Sequence, residues 1–332
     1  MSFPRTDHFD GTRFFNPEPP CNPDSGRRRE MVKFMRARLS GEQTVWTRWP
    51  RHVENAHYPP PDPRVPSLTW IGHSSFLLCL GDLNILTDPI FSARCSPVSF
   101  AGPKRVRAPG LDIQSLPRID LILLSHNHYD HMDIPSLRKI RRHFPEAQMV
   151  APLGNMAFLA RKNLHRVAEL DWWESITVAQ AQITATPARH FAARTLWDRN
   201  KTLWAGFMLT YQGRKIYFAG DTGYTKYFTE IYERCGAPDL AMLPIGAYQP
   251  REMMASVHMD PAEAVQAFLC LKARRAVGMH FGTFQLTGEP IDEPPEKLRQ
   301  ALAAHSISPE RFFVLDVGQT ATLCDYTGSP GF

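Results

Sequence analysis

No C-x-x-C pair occurs in this 332-residue sequence, and its six cysteines (Cys21, Cys79, Cys95, Cys235, Cys270 and Cys324) are widely scattered. That spacing argues against a disulfide framework and a cysteine-based zinc site, and for free thiols in a reducing compartment. No apolar run approaches the ~18 residues of a transmembrane helix. Residues 1–15 mix Arg, Asp and His with aromatics and lack the apolar stretch of a secretory signal. We therefore expect a cytoplasmic, non-secreted protein with no transmembrane segment. Nor is one sign of charge abundant: 38 Lys+Arg against 33 Asp+Glu give a formal +5, which permits an anionic partner without requiring one.

What is present is an ordinary apolar fraction of 43%, enough to build a packed core. Residues 1–66 hold 11 of the 29 prolines and read as an irregular arm packing on a main domain of residues 67–332. Within the arm, Met31, Phe34, Met35 and Leu39 stand at helical spacing, with Lys33, Arg36 and Arg38 between them. Such a short basic amphipathic helix can lie peripherally on an anionic membrane. Packing of its Met/Phe stripe on the domain is the favoured reading.

From Ser67 onward, strand patterns run through 68–80, 83–86, 119–124, 176–186, 203–211, 215–219, 240–245, 276–279 and 312–317. Helices are predicted over 136–143 after Pro135, over 260–272 after the capping pair Asp260/Glu263, and after Pro294-Pro295 to about Ala304. Strands that cluster early and then alternate with helices predict one α/β domain, sheets inside and helices outside. No internal repeat is visible.

The chemistry concentrates in Ser125-His126-Asn127-His128-Tyr129-Asp130-His131, which follows the buried strand Leu121-Ile122-Leu123-Leu124. Alternate residues of an extended segment point the same way, so His126 and His128 can grip one cation. Asp130 and His131, just beyond, can turn toward a second. Imidazole and carboxylate suit divalent zinc, and without cysteine they suit iron or manganese as well. Further donors stand at other strand ends: His190 in Ala188-Arg189-His190, Asp221 in Gly220-Asp221-Thr222-Gly223, and His280 in Met279-His280-Phe281-Gly282.

The H-x-H-x-D-H motif, followed by a lone His, a G-D-T-G and a late M-H-F-G, resembles the metallo-β-lactamase-fold hydrolases over roughly Leu68 to Asp316. Further blocks are similar to the branch of N-acylphosphatidylethanolamine-hydrolysing phospholipases D. They are 86–92 (LTDPIFS), 102–105 (GPKR), 169–173 (ELDWW), 244–248 (PIGAY) and Asn16-Pro17. The resemblance implies an αβ/βα four-layer sandwich with two zinc ions between its sheets. It places His126, His128 and His190 on one ion, Asp130, His131 and His280 on the other, and Asp221 on both. It also implies a phosphodiesterase acting on N-acylphosphatidylethanolamine or a related glycerophospholipid. A metal-bridging hydroxide would attack phosphorus, releasing N-acylethanolamine and leaving phosphatidic acid.

Asp130, Asp221 and His258 are the expected catalytic residues. His258, in Val257-His258-Met259-Asp260, matches a functional histidine of that branch. Tyr248 and Arg251 are weaker candidates for phosphate contact. His73 sits in a predicted hairpin and is expected behind the ligands rather than among them. Trp172, Trp173, Trp197 and Trp204 could fill the core or face lipid, and Phe14, Phe15, Met31, Phe34 and Met35 of the arm could wall the acyl chains of a lipid substrate. The rival readings are a lactone or β-lactam hydrolase on the same scaffold, a nuclease, and a binding protein without activity. Arginines spread along the chain, with no RNA-binding appendage, argue against nucleic acid, and seven intact ligand positions argue against lost activity. A homodimer is compatible with the sequence.

Overall fold

The computed structural model describes residues 3–18, 32, 33, 36, 46, 62 and 64–323. Among these residues, fourteen strands build two seven-stranded sheets. The first holds β1 (Ser67–Gly72), β2 (Ser75–Cys79), β3 (Asn84–Thr87), β4 (Leu121–Leu123), β5 (Gln148–Pro152) and β6 (Val167–Leu170) in sequence order, with β14 (Thr320–Thr322) returning beside β1. The second runs from β7 (Ser175–Val178) through β8 (Ala181–Thr186), β9 (Gly206–Tyr211), β10 (Arg214–Phe218), β11 (Leu240–Pro244) and β12 (Arg275–Met279) to β13 (Phe312–Phe313). In each sheet the early pairings are antiparallel and the later ones, β3–β4–β5–β6 and β10–β11–β12–β13, are parallel. The two halves therefore repeat one construction that leaves no repeat legible by eye in the sequence.

Strand alternation explains the layers. Leu121 and Leu123 of β4 point into the core shared by both sheets, while Ile122 and Leu124 face the helices outside. Full burial of each such side chain stabilises the fold by about 1.5–3 kcal/mol. The outer face of the first sheet is covered by α1 (Ile134–His143) through Leu137 and Ile140, and by Leu159 of α2 (Met156–Ala160). The second sheet carries α3 (Tyr227–Cys235), α5 (Pro261–Cys270) and α6 (Glu293–Ala304), and the short α4 (Arg251–Met254) precedes α5. The result is the expected helix/sheet/sheet/helix sandwich. The predicted start of α5 is also observed: Asp260 accepts from Glu263 N at 2.9 Å and the Glu263 carboxylate accepts from Asp260 N at 3.1 Å. No helix among the described residues is long and apolar enough to cross a membrane.

Residues 68–80 form the expected hairpin, β1–β2, with His73 turning the chain at φ +56°. Trp172 and Trp204 belong to the core, where their indole N–H groups donate to Trp204 O and Ala188 O, each at 2.8 Å. Trp173 is half-buried beneath Arg234, which leaves Trp197 as the surface member of the four. Among the arm aromatics, Phe14 lies in the core and Phe15 is partly exposed. Met31, Phe34 and Met35 lie outside the described residues.

The arm's first segment is tied to the second half of the chain. Phe14 N donates to Asn200 O at 2.8 Å, and buried His8 stacks on Trp172 at 4.3 Å. Burial alone would lower the His8 pKa, but Asp171 at 2.7 Å and Asp7 at 2.6 Å outweigh it and hold the ring above its ordinary value. A raised folded-state pKa gives stability that is complete below the unfolded value of about 6.5 and lost as pH rises through the folded one. Relative to wild type, His8→Gln is therefore expected to lose more urea resistance at about pH 6 than at about pH 9. An equal loss at both would show that His8 is not held by its charge.

Candidate metal centre

The ends of the parallel strands open toward one side, where ligand sites of α/β sheets collect. Segment 125–131 follows β4, Asp88 follows β3, His190 follows β8, Asp221 follows β10 and His280 follows β12. All seven sequence-predicted ligand residues meet there, scattered though they are over the chain. Their donor atoms, with those of His73, Asp88 and His258, form overlapping groups of candidate ligands. His126 Nε2 and His190 Nε2 lie 2.9 and 3.3 Å from His128 Nδ1. Asp130 Oδ2 lies 3.3 Å from His131 Nε2 and 3.4 Å from His280 Nε2. Asp221 Oδ2 stands between the two sets, 3.0 Å from His280, 3.1 Å from His131, 3.8 Å from His190 and 3.9 Å from His126.

Backbone features make this convergence possible. Gly220 has φ +59°, and a Cβ there would lie 2.6 Å from Ser125 Cβ, so glycine lets the Asp221 turn pass beside the histidine segment. His73, Asp88 and His280 also take positive φ. Conformations of this kind cost of order 1–3 kcal/mol and collect at functional sites.

Asp88 joins this set without any local motif to mark it. Its Oδ2 accepts from His131 Nδ1 at 2.7 Å and from the Ser125 hydroxyl, and its Oδ1 accepts from Ser125 N at 2.7 Å. Ser125 Oγ in turn stands 2.9 Å from His126 Nδ1. With its hydroxyl proton given to Asp88, that oxygen accepts from His126 Nδ1–H. One carboxylate thus fixes the tautomer of two candidate ligands, leaving Nε2 of each directed inward. His190 is fixed likewise, donating from Nδ1 to Val257 O at 2.9 Å. Asp88 stands inside the quoted block 86–92, but only its position at the end of a strand marked it. His73 is buried with Nε2 3.0 Å from Asp130 Oδ2, so it reaches the cluster's edge as well as its rear.

Electrostatics divide the rings into two kinds. Burial pushes His126 and His258 well below the ordinary value, His73 and His128 down to about 3, and His190 down to about 4. These rings stay neutral and keep a lone pair to give. Burial acts the same way on His131 and His280, but Asp221 and Asp130 overcome it, raising His131 well above normal and His280 to about 9. Burial would raise both carboxyls; His131 foremost pulls Asp130 and Asp221 well below their usual range instead.

The donor set suits divalent cations. Nitrogen donors around a tetrahedral zinc at ~2.0–2.1 Å stand roughly 3.3 Å from one another, close to the separations seen here. Asp221 Oδ1, His131 Nε2, both ring nitrogens of His280 and His258 Nδ1 are buried without a hydrogen-bond partner in the protein. Buried polar atoms are normally satisfied, and each left bare costs about 1–3 kcal/mol. Cations would satisfy them and displace the protons of His131 and His280.

Of the remaining candidates, only His258 has a side chain beside the cluster among the described contacts. His258 Nδ1 is 3.9 Å from Asp221 Oδ2. Arg251 is committed elsewhere: it pairs with Glu263 at 2.7 Å and donates to His258 O at 3.0 Å, so its contact is with the loop that carries His258. Buried Tyr248 gives its hydroxyl proton to Glu293 at 2.7 Å. In the arm, Asn16 Nδ2 donates to His190 O at 2.8 Å.

Fold and site together define a metal-dependent hydrolase, and residues 83–281 match the model of the beta-lactamase superfamily domain, the family to which this chain belongs. Within it, the chain is similar to proteins of narrower description. It is 37% identical to N-acyl-phosphatidylethanolamine-hydrolyzing phospholipase D 1 of Caenorhabditis elegans, over 76% of this chain and 74% of that one. Identity is 39% to the mitochondrial N-acyl-phosphatidylethanolamine-hydrolyzing phospholipase D of Saccharomyces cerevisiae, over 76% of this chain but only 55% of the yeast protein. Among solved structures, Igni18, a metallo hydrolase of Ignicoccus hospitalis, matches with TM-score 0.59 and 25% identity, over 77% of this chain and 97% of its own.

Proposed function

We propose that this hydrolase is a phosphodiesterase of phospholipase D type, holding two zinc ions and cleaving N-acylphosphatidylethanolamine or a related glycerophospholipid to N-acylethanolamine and phosphatidic acid. The observation that carries the metal reading is Asp221 Oδ2, which lies within 3.0–3.9 Å of imidazoles from both candidate ligand sets. The substrate reading rests on the worm and yeast relatives. In it His126, His128 and His190 hold one ion, Asp130, His131 and His280 the other, and Asp221 both. The chemistry such ions supply is acidification of water and neutralisation of charge on a phosphoryl oxygen.

The chain's own groups do the positioning. Asp88 and Ser125 hold the His131 and His126 rings, and half-buried His128 is the ligand nearest the open side. Neutral His258, with Nδ1 unpartnered beside Asp221, can donate a hydrogen bond to a substrate oxygen and steady the departing alcohol. Arg251 fixes its carbonyl.

The deciding experiment incubates the metal-loaded protein with N-acylated phosphatidylethanolamine in 18O-labelled water. N-acylethanolamine and phosphatidic acid should appear in equal amounts, with label in the phosphate because the P–O bond to the alcohol breaks. Turnover of a lactone or a cephalosporin with the phospholipid left intact would overturn the substrate reading.

A further inference from the structure

Two loops rise from the strand ends that carry the cluster. One spans 89–111 between Asp88 and the turn before β4, and the other spans 191–202 directly after His190. Both are joined at their bases by Tyr129, the residue between His128 and Asp130. Its ring packs on the small cluster of Ile90, Cys95 and Phe284, its hydroxyl donates to Arg194 O at 3.1 Å, and the Arg194 guanidinium lies 4.0 Å over the ring. Arg194 also donates to Asn127 O and Met132 O, each at 2.8 Å, which anchors the second loop to the ligand segment itself. A cavity of about 190 Å3 is lined by Phe191 and Arg199 of this loop, by His190, and by Phe15 and Asn16 of the arm.

The tips carry what a folded chain normally hides. Phe100 is 80% exposed, Leu196 92% and Trp197 80%, and Val98 is 39% exposed. Their neighbours Ser96, Ser99 and Thr195 are small and polar. Charge around them is one-sided. Residues 89–111 contain Arg94, Lys104, Arg105 and Arg107 and no Asp or Glu. Residues 191–202 contain Arg194, Arg199 and Lys201 against Asp198, whose carboxylate already accepts from Arg194 N and Thr195 N. Lys104, Arg199 and Lys201 are exposed. Separate apolar points on polar, cationic loops suit insertion between lipid headgroups better than a flat protein contact, which needs one contiguous patch.

We propose that these two loops form a bilayer-docking rim: Phe100, Leu196 and Trp197 enter the headgroup–acyl boundary of an anionic lipid surface while Lys104, Arg199 and Lys201 lie over its phosphates. The proposal deepens the phospholipid reading above and rests on it for its purpose, but its geometry is independent of the chemistry. The cluster then faces the membrane, so a substrate lipid needs to rise only part of the way out.

The test is flotation of the full-length, metal-loaded protein with vesicles of phosphatidylcholine alone and of phosphatidylcholine mixed with phosphatidylglycerol. Wild type should bind the mixed vesicles and release at ~1 M salt, where the screening length falls to about 3 Å. The triple variant Phe100→Ser, Leu196→Ser, Trp197→Ser should bind at least about tenfold more weakly while keeping the wild-type melting temperature. A Trp197→Phe control should remove the blue shift of emission that vesicles induce. The triple variant should cleave vesicle substrate at least about tenfold more slowly, yet match wild type on a short-chain, monomeric N-acyl phospholipid. Unaltered vesicle binding by the variant would overturn the rim even if the phospholipid is cleaved. So would a concentration-dependent dimer that the same substitutions abolish without affecting vesicle binding, which would assign the tips to a second copy. Loss of vesicle binding in a protein that cleaves no phospholipid would uphold the rim and defeat the substrate reading alone.

Discussion

Replacing Asp221 by asparagine is expected to lower turnover at least about a thousandfold, equivalent to about 4 kcal/mol of barrier. The reason is the position of a single oxygen. Asp221 Oδ2 is 3.0 Å from His280, 3.1 Å from His131 and 3.8 Å from His190. An amide is neutral, so it removes the charge that stands between the two candidate ligand sets, and one of its two ends is a donor facing rings that the proposed metal site requires to give lone pairs. Asparagine matches aspartate in volume, so the strand end should hold its shape. Elemental analysis should find well under two metal ions per chain, with the far-ultraviolet dichroism of wild type. A variant with full metal content and turnover within tenfold of wild type would remove Asp221 from the centre of the site.

How much of this was legible beforehand depends on whether the signal was local. Segment 125–131 packs its donors into seven residues after a buried strand, so neither convergence nor topology was needed to notice it. The α5 start was legible for the same reason, since Asp260 and Glu263 cap each other three positions apart. Elements lacking local signs were passed over. β6, of sequence Val-Ala-Glu-Leu, lies at a sheet edge with three half-buried residues and no clean alternation. Helix α3 begins after Lys226, whose side chain makes no cap. The β1–β2 turn, by contrast, was legible in Gly72-His73-Ser74-Ser75, where Gly72 takes φ +129° and His73 +56°. The tryptophans were ambiguous in sequence because one residue type fills cores and faces lipid. Partners 16 and 32 positions away decided it: Trp204 Nε1 donates to Ala188 O and Trp172 Nε1 to Trp204 O.

Asp88 illustrates what no local pattern could have supplied, and it sets the second large expectation. In sequence it is an acid after a short strand. In the fold it lies 37 positions from Ser125 and 43 from His131 and binds both. Asp88→Asn is expected to weaken metal binding about 10–100-fold, the usual cost of losing a group that orients a ligand. Both ligand sets should be affected. An Asn amide turned with its oxygen toward His131 loses the charge that favours Nδ1–H; turned the other way, it presents a donor to a donor. The Ser125 hydroxyl, no longer held by a carboxylate, is then free to donate to His126 Nδ1 and reverse that ring's tautomer, pointing an N–H where a lone pair is needed. Competition with a chromophoric chelator should therefore show two weakened steps, and saturating metal should restore most of the lost turnover. A single weakened step would limit Asp88 to His131. Unchanged affinity in both steps would show that the buried carboxylate serves the fold at the end of β3 and leaves the ligands to orient themselves.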